Sequence, residues 1–172
     1  MSDLRDRIRG GQTSHELLLD WIPGFKGYRE QELRRDADRL VREHLVGLLA
    51  ETHGKLRKAT GDLAKQAKLK HMTVLDGIGK RIEKATDLIR HADTGYAGWF
   101  AAVKISEAEL DRLYDYDVAL KQFIGELDGA VTELTTAPDE QLAGTAAKVT
   151  AALEELDHMI DNRRQVALGL VP

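Results

Sequence analysis

The chain has no cysteine. That excludes disulfides, thiolate zinc sites and thiol nucleophiles. It has 3 prolines and only 5% aromatic residues, so helix breakers are rare and large ring-stacked cores are not expected. No apolar run approaches the ~18 residues of a membrane span. The opening "MSDLRDRIRGGQ" is charged and has no apolar centre, unlike a secretory signal. Phosphate-binding loops, nucleophile elbows and dinucleotide fingerprints are missing too. These absences lead us to expect a cytoplasmic, non-catalytic protein without a cofactor.

What is present favours helices. Of the 172 residues 42% are apolar and 31% charged, the latter above the ~25% of an average globular protein. The net charge is −4, but it is unevenly placed. Residues 55–84 hold nine Lys/Arg against three Asp/Glu, a net of +6. Residues 106–161 hold three against fourteen, a net of −11. The favoured expectation is a basic helix lying beside an acidic one. The alternative is a basic surface for nucleic acid or anionic lipid.

Residues 1–12 are expected to be a flexible N-terminus and 13–172 a single helical domain. Thr13 and Glu16 have capping-box spacing, so a short helix starts there, and Pro23, Gly24 and Gly27 end it. One long helix is expected through residues 28–68, on a seam of Leu33, Ala37, Leu40, Leu45, Leu48, Leu56, Ala59 and Leu63. Its Asp38–Arg42 pair has i,i+4 spacing, worth about 0.2–0.5 kcal/mol in an isolated helix. Gly54 and Gly61 are possible bends.

A second helix carries Leu75, Ile78, Ile82, Ala85, Ile89 and Ala92, spaced three and four apart. Ser106 and Glu109 form another capping box, with Ile105 and Leu110 as its staple. The seam that follows is Leu110, Leu113, Asp117, Leu120, Ile124, Leu127, Val131 and Leu134. Thr136 is expected to cap the last helix, with Pro138 in its first turn. That helix has Leu142, Ala146, Val149, Leu153, Leu156 and Ile160. The fold class is therefore all-α: an elongated up-and-down bundle or helical hairpins, with about four main helices, a short N-terminal one and coiled-coil-like seams.

Four features bear on function. "LDGIGKRIEKA", residues 75–85, resembles the core of a helix-hairpin-helix, whose glycine turn offers backbone N–H groups to a phosphate. The motif expects a small residue four positions after its second glycine, where Glu83 stands here. The apolar spacing also runs in helical phase across Gly77 and Gly79, so an uninterrupted helix is favoured. A nucleic-acid or lipid alternative would use Lys65, Lys68, Lys70, Lys80, Arg81 and Lys84. Asp117 sits on an apolar seam. The favoured expectation is that the helix rotates and leaves it wet, and the other is a buried register-setting contact with an arginine or a tyrosine hydroxyl. The aromatic residues Trp21, Phe25, Tyr28, Tyr96, Trp99 and Phe100 are candidates for protein contact, with a core role as the more common outcome. Glu155 with His158, Asp87 with His91 and Glu154 with His158 have metal-compatible spacing, but no second half-site accompanies them, so no metal is expected.

"PGFKGYREQELRRDADRLVREHL" and "ADTGYAGWFAAVKISEAELDRLYDYD" resemble a set of prokaryotic helical proteins of no assigned function. The resemblance implies a helical domain and supplies no catalytic residue or ligand. The expected role is a scaffold or adaptor working through protein partners or self-association along helix faces.

Overall fold

The computed structural model describes residues 12–27, 34–65, 71–92 and 107–167. The helices among them are α1 (Ser14–Trp21), α2 (Arg34–Lys65), α3 (Met72–Arg90), α4 (Glu107–Thr136) and α5 (Asp139–Ala167). At 1.5 Å per residue the three longest span roughly 43–48 Å, so the bundle is elongated.

α2 with α3, and α4 with α5, form antiparallel hairpins. The start of α2 meets the end of α3, where Arg42 Nη1 donates to the Arg90 carbonyl at 2.8 Å. The end of α4 meets the start of α5, where Lys148 Nζ lies 3.2 Å from Glu133. The hairpins then pack with like directions side by side. Thr52 and Lys55 of α2 reach Asp128 of α4, and Arg81 and Lys84 of α3 reach Glu154 and Asp157 of α5. Around the bundle the order is α2, α3, α5, α4. α1 lies across one end against α4.

The apolar spacing explains the core. Every seam residue expected on α4 and α5 is buried, as are Leu75, Ile78, Ile82, Ala85 and Ile89 on α3. Full burial of such a side chain contributes about 1.5–3 kcal/mol before chain entropy is charged against it. α1 begins as expected: Glu16 N–H donates to Thr13 Oγ1 and Thr13 N–H to Glu16 Oε2. The chain after it turns at Gly27, whose φ of +94° suits glycine. A Cβ there would lie 2.6 Å from His15 Nε2 and 2.8 Å from the Tyr114 hydroxyl oxygen.

Two of these expectations need correction. The buried stripe of α2 is Ala37, Asp38, Val41, Arg42, Leu45, Leu49, Thr52 and Leu56, while Leu40, Leu48 and Leu63 pack at its edge. Polar residues at 38, 42 and 52 hid that stripe from an apolar count. Thr136 closes α4, donating to the carbonyls of Thr132 and Glu133, instead of capping α5, and Pro138 stands just outside α5. At the "LDGIGK" stretch the favoured reading holds: α3 runs unbroken through both glycines, which form no turn. Gly79 faces His53 and Leu56 of α2, while nothing approaches Gly77. α2 also continues through Gly54 and Gly61. Ser106, Ile105 and residues 1–11 lie outside the described residues, so their expected roles are not seen.

Candidate functional site

Asp117 is not wet. It is 0% exposed, because Tyr114 and Val118 flank it in the core without displacing it. Arg163 of α5 donates from Nε to Asp117 Oδ1 at 2.6 Å. The same guanidinium donates from Nη2 to Asp38 Oδ1 of α2 at 2.9 Å. Arg42 Nε donates to the other oxygen of Asp38 at 2.8 Å, and its Nη1 reaches the last turn of α3. Two carboxylates and two guanidiniums thus form a neutral buried chain that touches all four long helices. Isolated charges there would be costly, so pairing and fixed guanidinium geometry make the burial tolerable.

The network is a register device. Sliding α2 or α5 by one turn would move its charged groups about 5.4 Å and break the pairs. Sequence reasoning found Asp117, read Asp38–Arg42 only as an i,i+4 pair within one helix, and missed Arg163. A signal existed: Arg163 continues the Leu156, Ile160 spacing by three.

The aromatic candidates separate by position. Phe25 is buried and packs edge-on to Tyr114, with ring centroids 6.3 Å apart. It is therefore core, because its ring fills the space between α1 and α4. Trp21 is half-buried, and Lys121 Nζ of α4 sits 4.1 Å from its ring centroid in a cation–π contact. Tyr28, Tyr96, Trp99 and Phe100 lie outside the described residues.

The basic candidates are neutralised locally. Lys65 pairs with Asp62, and Lys80 with Asp76 at 2.7 Å. The hydrogen bond from Lys80 to Asp76, and that carboxylate's charge, raise the lysine pKa. Arg81 lies 3.3 Å from Glu154 and 3.7 Å from Asp157, and Lys84 lies 3.4 Å from Asp157. The basic helix does lie beside the acidic one. Lys68 and Lys70 fall outside the described residues.

Between α3 and α5 the surface opens into a groove of about 620 Å³. Leu88, Ala92 and Ile160 supply its apolar surface, and Lys84, Asp87 and Arg164 stand among the charged groups around it. Leu88 is 45% exposed. Val74, 47% exposed, lies two heptads earlier on the same face of α3. Among the described residues no cluster of three or more His, Asp or Glu could hold a metal ion. No described helix is long and apolar enough to cross a membrane. Set against protein-family models, curated proteins and solved structures, the chain matches none of them.

Proposed function

We propose that this chain is a non-catalytic helical scaffold or adaptor, acting through protein–protein contact, with self-association as one form of that contact. The observation that carries the reading is the groove between α3 and α5, where Leu88 stays exposed beside Ala92 and Ile160. An apolar strip rimmed by charges of both signs suits an amphipathic helix laid along it. The ion pairs along α3 argue against a phosphate-binding role, since most cations there already have carboxylate partners.

The test is recovery of the tagged chain from its own cells after nuclease treatment, beside a Leu88→Glu variant. A stoichiometric protein, or untagged copies of the chain, should be retained by the natural sequence and lost from the variant. A buried anchor is typically worth about 2 kcal/mol, roughly a thirtyfold loss of affinity. Recovery only of nuclease-sensitive material would overturn the reading in favour of nucleic acid.

A further inference from the structure

Two stripes of heptad spacing run side by side on the outer face of α3 and α5. On α3 the stripe is Val74, Arg81 and Leu88, and on α5 it is Ala147, Glu154 and Asp161. Residues seven apart fall close to one line along a helix. The two lines are in step. Arg81 meets Glu154 and Lys84 meets Asp157, both pairs 73 residues apart in the chain. The same offset sets Val74 level with Ala147 and Leu88 level with Asp161. Arg81 is partly exposed and the other five stripe residues are exposed, so no described element covers the two lines.

The face is self-complementary in charge. Its α3 side is cationic through Arg81 and Lys84, and its α5 side is anionic through Glu154, Asp157 and Asp161. Asp161 has no ion pair among the described residues. The pairs within the chain leave Lys84 and Glu154 more than half exposed, so each keeps hydrogen-bonding capacity for a second partner. A two-fold axis along the groove sets α3 of one copy on α5 of the other, cation over carboxylate. It also brings the two Leu88 side chains together at the axis, where each fills the other's groove. The competing arrangement lays α3 antiparallel on α3. Matching Val74 to Leu88 in that way stacks Arg81 on Arg81, like charge on like. At 1.5 Å per residue the face from Val74 to Ala92 is about 27 Å long, and two helices make it about 20 Å wide. Pairing then buries roughly 1,100 Å² in total, at the small, reversible end of specific interfaces.

We propose that this chain forms a parallel two-fold homodimer through α3 and α5, the basic line of each copy lying on the acidic line of the other, with Leu88 at the axis. The inference rests on the reading of this face as the contact surface, and it names a second copy as the occupant.

Sedimentation of the purified full chain decides it. The average mass should climb from 19.2 kDa towards twice that value between about 1 µM and about 500 µM, the span a small interface requires. The rise should weaken at high salt. Arg81→Glu with Lys84→Glu should raise the midpoint concentration about tenfold or more, since carboxylates then face carboxylates. The fourfold swap Arg81→Glu, Lys84→Glu, Glu154→Lys, Asp157→Lys keeps those ion pairs within the chain, and so stands in if the double variant folds poorly. It should dimerise with itself as the natural chain does. It should form no mixed dimer with a tagged natural chain, because each α3 would then face an α5 of like charge. A natural chain that stays monomeric, a dimer indifferent to a folded double variant, or mixed dimers of swapped and natural chains would each overturn the proposal. A monomeric natural chain leaves the scaffold reading standing, since a foreign protein in the groove needs no second copy. Recovery only of nuclease-sensitive material removes that reading and leaves dimerisation to be judged by mass.

Discussion

Arg163 Nε on α5 donates to Asp117 Oδ1 on α4 across 2.6 Å, and both side chains are closed to solvent. The pair is worth little as a net source of stability, yet it cannot lose one member cheaply. Asp117→Ala should therefore destabilise the chain by about 3–5 kcal/mol, because a guanidinium is left buried beside a hole. Replacing all four charged residues by apolar ones of similar volume should recover most of that loss. Urea denaturation of the single and combined variants measures both quantities.

The glycines of α3 offer a contrast in which only local space differs. Gly77→Ala should stabilise the chain by about 0.5–1 kcal/mol, since the added methyl meets nothing and the helix gains propensity. Gly79→Ala should gain less or lose, because its Cβ would lie 3.3 Å from His53 Nε2 and that ring must shift. Thermal melts of the two variants rank them.

Asp128 receives both Thr52 Oγ1 at 2.9 Å and Lys55 Nζ at 2.6 Å. The threonine is buried and the lysine is half exposed. Thr52→Val should cost about 1 kcal/mol and be insensitive to salt. Lys55→Ala should cost under about 1 kcal/mol, with the difference shrinking at high salt. Denaturation at two ionic strengths separates them.

Burial and Lys121 lower the pKa of His44, in that order of importance. The unfolded chain then holds more protons than the folded one between the two pKa values. Stability should fall as pH drops through about 6.5, the ordinary histidine value, and level off below the folded-state value. His44→Gln should remove that part of the slope. Lys121→Gln should raise the His44 pKa, which proton NMR of the ring reads directly. Lys121 is itself lowered by burial, so stability should rise with pH as the folded chain's lysine loses its proton, and level off above the ordinary lysine value of 10.5.

The seams of α4 and α5 were legible because an apolar residue every three or four positions is the pattern a helix makes when it buries one face. The α2 stripe was not. Asp38, Arg42 and Thr52 occupy its buried face, and a polar residue announces burial only through partners that lie far away in sequence. Asp117 was visible as an anomaly within an apolar row, but the wet outcome looked easier than a four-member network. The groove of the candidate site was less legible still. Leu88 reads as an ordinary helix residue until the neighbouring helix is seen to leave it uncovered.

The buried charge chain has a consequence for how the molecule assembles. Its members on α4 and α5 are 46 residues apart, and its α2–α5 bond joins residues 125 apart. Each hairpin can zip from its own connection through near neighbours, at low cost in loop entropy. Of its bonds only Arg163–Asp38 joins one hairpin to the other, so that bond closes only when the hairpins meet. A contact that closes after the main barrier is expected to act on unfolding alone, so loss of Arg163–Asp38 should speed unfolding while leaving the rate of hairpin formation almost untouched.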